Sequence, residues 1–235
     1  MRDYDLRDSD LRDSDLRDSD LPDLYAMDAA LFDLDGTLVD SEHVHRTAWR
    51  SFFDSRGWEV SEQTYAEHFL GRRGADTFRK LDGPWQAHDP DALLAEVLTH
   101  LADVDLEPVP VRGAAELIRS VHATGMPVAV VTSAVRAWVD SSLHVLGVAD
   151  LVTTVVSAED VEAGKPEPEG YLLACRRLGV DPGRAAAFED STSGVTAAVA
   201  AGISPVIGVL TTTSAAALRA AGAHHVIEDL RVVAG

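Results

Sequence analysis

From residue 27 onward, short apolar runs alternate with longer stretches of helical period. The runs fall at 29–32, 127–131, 151–156, 185–188, 205–210 and 224–227, and most are followed by a turn and a helical segment. That alternation predicts an α/β fold, a doubly wound, Rossmann-like parallel sheet flanked by helices. One interval breaks it. Between 41 and 110 no convincing strand appears, and helical patterns cover 42–56, 61–70, 75–81 and 91–102. A helical domain is therefore expected at 41–110, inserted after the first strand, with the core built from 26–40 and 111–235. Glu107-Pro108-Val109-Pro110 is stiff and poorly helical, which suits a hinge or linker at the return to the sheet.

The first 25 residues follow neither period. The pentad Leu-Arg-Asp-Ser-Asp repeats at 6–10, 11–15 and 16–20. A leucine every five residues gives no face to bury, so this acidic, low-complexity tail is expected to be disordered and to contribute little to folding or catalysis. A pentapeptide-repeat solenoid shares the spacing but needs more stacked copies to form a core.

Composition narrows the function. The chain has 235 residues, 46% of them hydrophobic and 25% charged, which suits a folded globular protein. Lys and Arg number 20 against 39 Asp and Glu, for a net charge of −19, so neither nucleic acid nor an anionic membrane is an expected partner. No apolar run approaches the roughly 20 residues that span a bilayer, and the acidic N-terminus is unlike a secretory signal. A cytoplasmic location is expected. Cys175, the single cysteine, allows no intrachain disulfide and no cysteine-based zinc site, and it reads as a small buried helix residue.

In open α/β sheets ligands bind beyond the carboxyl ends of the strands, so the residues after each apolar run are candidates for chemistry. Four such positions stand out: Asp33-Leu34-Asp35-Gly36-Thr37, Thr132-Ser133, Gly164-Lys165-Pro166, and Glu189-Asp190. Each alone has an ordinary reading: an Asp-Gly turn, a hydroxyl helix cap, a surface lysine, a solvated acidic loop. Together those readings fail. Asp33, Asp35, Glu189 and Asp190 at one end of a sheet would repel one another and raise one another's pKa unless a cation sat among them, and Mg2+ is the hard, oxygen-seeking candidate.

In order and spacing these four segments resemble the motifs of haloacid dehalogenase-superfamily phosphohydrolases, over about residues 27–230. The helical insert between the first and second motif resembles the subgroup with a small α-helical cap, which includes β-phosphoglucomutase and the sugar-phosphate phosphatases. The resemblance implies a Mg2+-dependent phosphatase acting on a small phosphorylated metabolite, most simply a sugar or polyol phosphate, through an aspartyl-phosphate. It implies Asp33 as nucleophile and metal ligand. Asp35 becomes the acid and then the base, its main-chain carbonyl also meeting the metal. Asp190 is a direct metal ligand, and Glu189 either binds the ion or orients its waters. Lys165 and Thr132, with Ser133 and the main chain at Leu34, hold the phosphoryl oxygens. In the cap, His45, Arg72 and Arg73 are candidates for contacts to the leaving group.

The nearest rival is a β-phosphoglucomutase-like phosphotransferase, which uses the same motifs. Such mutases typically carry an arginine three residues after the glycine matching Gly71; here that position is Gly74. A non-enzymatic phospho-acceptor would need neither Asp35 nor the helical insert, and a catalytically inactive binding module is disfavoured because no motif residue is missing.

Overall fold

A computed structural model describes residues 23–69 and 72–234. The pentads and Gly71 lie outside the described residues, and so does the expectation of disorder for the repeat. The tail does end earlier than the sequence suggested. Asp23 accepts from the Tyr25 amide at 3.1 Å to start a 3-10 turn over Leu24–Ala26, and the Leu24 side chain is buried in the main core. An apolar residue with a place in the core belongs to the folded body, whatever precedes it.

Six strands form one parallel sheet: β1 Ala29–Phe32, β4 Val128–Val131, β5 Thr154–Val156, β6 Ala185–Glu189, β7 Val206–Val209 and β8 His225–Ile227, in the spatial order β5-β4-β1-β6-β7-β8. The strands are nearly all apolar because both faces are covered. On one face, α5 (Ala114–Ala123) and α6 (Arg136–Leu146) pack against Ala30, Phe32, Val130 and Phe188. On the other, α7 (Glu169–Leu178), α8 (Thr192–Ala200) and α9 (Ala215–Ala221) pack against Leu31, Ala129 and Ala187. Phe32 and Phe188 stack at 4.7 Å between the central strands. Successive strands are added outward in opposite directions on either side of the β1–β6 pair, the topological switch point, and the registers Phe32↔Val130 and Phe32↔Phe188 bring the ends of β1, β4 and β6 level.

Between β1 and β4 the helices α1 (Glu42–Arg56), α2 (Glu62–His68), α3 (Gly74–Lys80) and α4 (Pro90–Ala102) build a second, aromatic core around Trp49, Phe52, Phe53, Phe69, Phe78 and Trp85. Two of these starts have a local cause: Ser61 and Asp89 cap α2 and α4 with side-chain oxygens, and Pro90 occupies the first turn of α4, where no amide is missed. The connection to the sheet is more ordered than a linker. Two-residue strands β2 (Val39–Asp40) and β3 (Val109–Pro110) pair antiparallel, so the two crossings of the chain are tied side by side. Among the described residues no helix is long and apolar enough to cross a membrane.

Candidate active site

Asp33 follows β1 directly, its amide donating to the Phe188 carbonyl at 3.0 Å as if the ladder ran on. The loop then closes over itself. The Leu34 carbonyl accepts from the amides of Thr37, Leu38 and Val39, while the Leu34 side chain is buried in the core. Gly36 takes φ of +86°, and a Cβ there would lie 2.0 Å from Asp190 Oδ2, so both backbone conformation and close approach require glycine.

Four charged side chains meet at this strand end. Lys165 Nζ donates to Asp33 Oδ1 and to Glu189 Oε1, both at 2.5 Å, with only 7% of the lysine side chain exposed. Carboxylate oxygens of Asp33, Glu189 and Asp190 lie within 4.8 Å of one another. Burial pushes Asp33 well above the ordinary carboxylate range; Lys165 opposes that shift, and Glu189 and Asp190 add to it. Burial, reinforced by Glu189, raises Asp190 to about 7. Three buried acids against one buried ammonium leave uncompensated negative charge, and their clustered oxygens are the donor set of a hard divalent cation. On that observation the residues fit Mg2+.

Thr37 belongs to the first motif, but several other residues that support this cluster were not singled out from the sequence. Tyr171, fully buried on α7, donates to Glu189 Oε1 at 2.6 Å, and Ser191 donates to Oε2 at 3.2 Å. Thr37 reaches Asp190 Oδ1 at 3.4 Å, Thr212 hydrogen-bonds Asp190 Oδ2, and Thr211 hydrogen-bonds the Gly36 carbonyl. The run Thr211-Thr212-Thr213 follows β7 after a single residue, Leu210, so the strand-end rule that found the four motifs applied here too.

Asp35 points away from this cluster. Its Oδ1 accepts from Ser41 Oγ at 2.5 Å and Trp138 Nε1 at 2.8 Å, and His45 Nε2 lies 3.1 Å away. Burial raises the Asp35 pKa, but His45, Ser41 and Trp138 outweigh it and hold the carboxyl below its ordinary value. Burial lowers His45, and Asp35 more than reverses this, so the imidazole is raised. Each partner thus favours the charged form of the other.

Thr132 and Ser133, at the end of β4, line the same cavity of about 200 Å³ as Asp33, Asp35 and His45. Thr132 Oγ1 accepts from the Ala134 amide at 3.0 Å; the Ser133 hydroxyl is buried without a hydrogen-bond partner. Arg72 and Arg73 also line the cavity. They differ: Arg72 is exposed, whereas the Arg73 guanidinium donates to the Val161 and Glu162 carbonyls at 3.3 and 3.4 Å.

The segment that delivers Lys165 is held by its own acids. After β5, a 3-10 turn over Ala158–Asp160 is closed by a capping box in which Asp160 Oδ2 accepts from the Ser157 amide and hydroxyl, both at 2.9 Å. Glu169 then accepts from the amides of Glu162 and Ala163. Arg177, first, and the Ser157 amide, second, hold Asp160 at about 2. A carboxyl depressed in the folded state stabilises that state above its unfolded pKa, and the contribution fades as pH falls from about 4 to about 2. Asp160→Asn is therefore expected to lower the thermal midpoint near neutral pH, with the gap to the parent protein narrowing below about pH 4 in paired melts.

The family profile described as haloacid dehalogenase-like hydrolase matches residues 30–209. A validoxylamine A 7'-phosphate phosphatase from Streptomyces hygroscopicus subsp. limoneus is 40% identical over 205 residues, covering 87% of this chain and 94% of that protein. The fructose-1-phosphate phosphatase YqaB of Escherichia coli (strain K12) is 33% identical over 184 residues, covering 75% of this chain and 93% of that protein. Among solved structures, CbbY from Rhodobacter sphaeroides in complex with phosphate superposes with a TM-score of 0.75 at 26% identity, covering 87% of this chain and 95% of that one.

Proposed function

The chain belongs to the haloacid dehalogenase-like hydrolases and is a phosphoric monoester hydrolase; from that premise we propose that it cleaves a small sugar or polyol phosphate through an aspartyl-phosphate on Asp33, with Mg2+ as cofactor. The observation that carries this reading is the arrangement at the end of β1: Asp33 paired to a buried lysine, and Asp35, two residues on, turned toward the same cavity with its own set of donors.

In the first step Asp33 attacks phosphorus, the ester P–O bond breaks, and a proton passes to the departing oxygen. Asp35 lies beside that oxygen. Asp35 delivers that proton, and His45 Nε2, 3.1 Å from its Oδ1, stabilises the carboxylate left behind. In the second step Asp35 takes a proton from water, the water oxygen bonds to phosphorus, and the Asp33–phosphorus linkage opens to release inorganic phosphate. Lys165, Thr132 and Ser133 supply donors to the phosphoryl oxygens throughout. Asp33, Asp190, the Asp35 carbonyl and Glu189, directly or through water, would hold Mg2+, which when bound offsets the negative charge of phosphate and carboxylates.

These groups read only the phosphoryl end, so selection among leaving groups falls to residues 41–110 acting as a cap. His45, Arg72 and Arg73 reach the cavity from that side, together with the apolar Leu94, Leu98 and Leu101 of α4. Hydrolysis is favoured over phosphate return to a sugar by one packing detail. A Cβ on Gly74 would sit 2.9 Å from two Trp49 ring atoms, so no side chain fits there to clasp a second phosphate.

The test is a panel of hexose, pentose, polyol and nucleotide monophosphates with Mg2+, with phosphorus NMR on β-glucose 1-phosphate plus a bisphosphate primer. Inorganic phosphate from a sugar or polyol ester is the expected product. Glucose 6-phosphate accumulating without matching inorganic phosphate would replace the hydrolase by a mutase.

A further inference from the structure

Asp35 is held from two sides of the molecule. Ser41 and His45 belong to the inserted segment, which joins the sheet through β2 and β3. Trp138 belongs to the sheet-bound half. It lies in the first turn of α6, whose Val139 and Leu143 are buried in the main core, and the start of that helix is tied down by Glu159, which accepts from the Arg136 amide at 3.0 Å. The Trp138 indole is thus fixed in the same frame as Asp33 and Lys165, and its Nε1 donates to Asp35 Oδ1 at 2.8 Å. The ring also meets His45 edge-on, with centroids 5.0 Å apart, while lining the cavity.

We infer that Trp138 is a positioning residue for the acid–base step: its N–H holds Asp35 by Oδ1 and leaves Oδ2 turned to the departing oxygen and, later, to the water. Indole suits this task because it only donates and exchanges no proton with the carboxylate, unlike the imidazole beside it. All three contacts of the carboxylate fall on Oδ1, so one oxygen anchors the group and the other is left for chemistry. The inference rests on Asp35 being the acid and base, and it adds a residue that none of the four motifs contains.

Leaving groups separate the two ideas. kcat/KM reports events up to the first irreversible step, here release of the leaving group. A sugar alkoxide needs a proton to leave, whereas p-nitrophenolate departs without one. Trp138→Phe keeps an aromatic ring and removes the N–H. It is expected to lower kcat/KM for the fastest sugar or polyol ester of the panel by about tenfold, in line with misplacement of a reacting group, and to change p-nitrophenyl phosphate less than about twofold. Trp138→His, which returns a ring N–H, should recover part of the loss and provides a second variant should the first fold poorly. Equal loss on both esters would mark Trp138 as merely structural and overturn the inference, and so would no loss on either. Asp35→Asn run in parallel shows which idea has failed. If Asp35→Asn is selective for the sugar ester and Trp138→Phe is not, only the role of Trp138 falls. Should Asp35→Asn also lack selectivity, the acid–base reading falls with it.

Discussion

Asp33→Asn is expected to cut phosphate release by on the order of a thousandfold or more while the protein stays folded. The amide is far less nucleophilic than the carboxylate, and nothing else at the end of β1 can take its place: Asp35 is tied through Oδ1 to Ser41, His45 and Trp138. Folding should survive because the amide oxygen can still accept from Lys165 and because the change removes one of three mutually repelling buried acids. Circular dichroism and a thermal melt close to those of the parent, alongside lost turnover on every ester, would assign the defect to chemistry. Full activity in a preparation free of contaminating phosphatase would remove Asp33 from its role.

Lys165→Met should be the most damaging substitution for stability among the site residues. The lysine is the buried positive charge facing Asp33 and Glu189, and removing one partner of a buried ion pair leaves the other charges uncompensated, at a cost of about 3–5 kcal/mol. Protonation of Asp33 or Asp190 would absorb part of that cost, since burial already raises both. Catalysis should fall by roughly a hundredfold to a thousandfold as well, because a donor to the phosphoryl oxygens is lost. The two effects separate with metal. Saturating Mg2+ should raise the melting temperature of Lys165→Met by linkage without restoring kcat. An unchanged metal-free melt for Lys165→Met would mean that the acids are not held as the structure arranges them.

The sheet was legible because its strands are buried on both faces and so read as unbroken apolar runs; β1, β6 and β7 fall within a residue or two of their expected positions. The run at 151–156 was read too long. Leu151 and Val152 pack against the core from a 3-10 turn and the residue after it, apolar for burial rather than for pairing. The strands β2 and β3 were missed because two residues carry no period and one of them is Pro110. The acids were legible because Asp33 and Asp190 directly follow β1 and β6 and Glu189 ends β6, whereas Lys165, beyond the 3-10 turn that follows β5, was legible from its Gly164-Lys165-Pro166 setting. Trp138 was not: it lies inside an amphipathic helix, and only the placement of α6 beside the loop after β1 shows that its indole meets Asp35. Tyr171 was hidden likewise, since a tyrosine on a buried helix face looks like core until Glu189 is seen beneath it.

The most direct measurement is the mass of the protein quenched in acid during turnover of a sugar or polyol ester with Mg2+, followed by peptide mapping. An acyl phosphate on Asp33 is the central claim. The account predicts a fraction of the chain heavier by one phosphoryl group, located on the peptide carrying Asp33, absent in Asp33→Asn and enriched in Asp35→Asn when p-nitrophenyl phosphate is the donor. Turnover with no such adduct in the parent or in Asp35→Asn, or an adduct on any other residue, would contradict it.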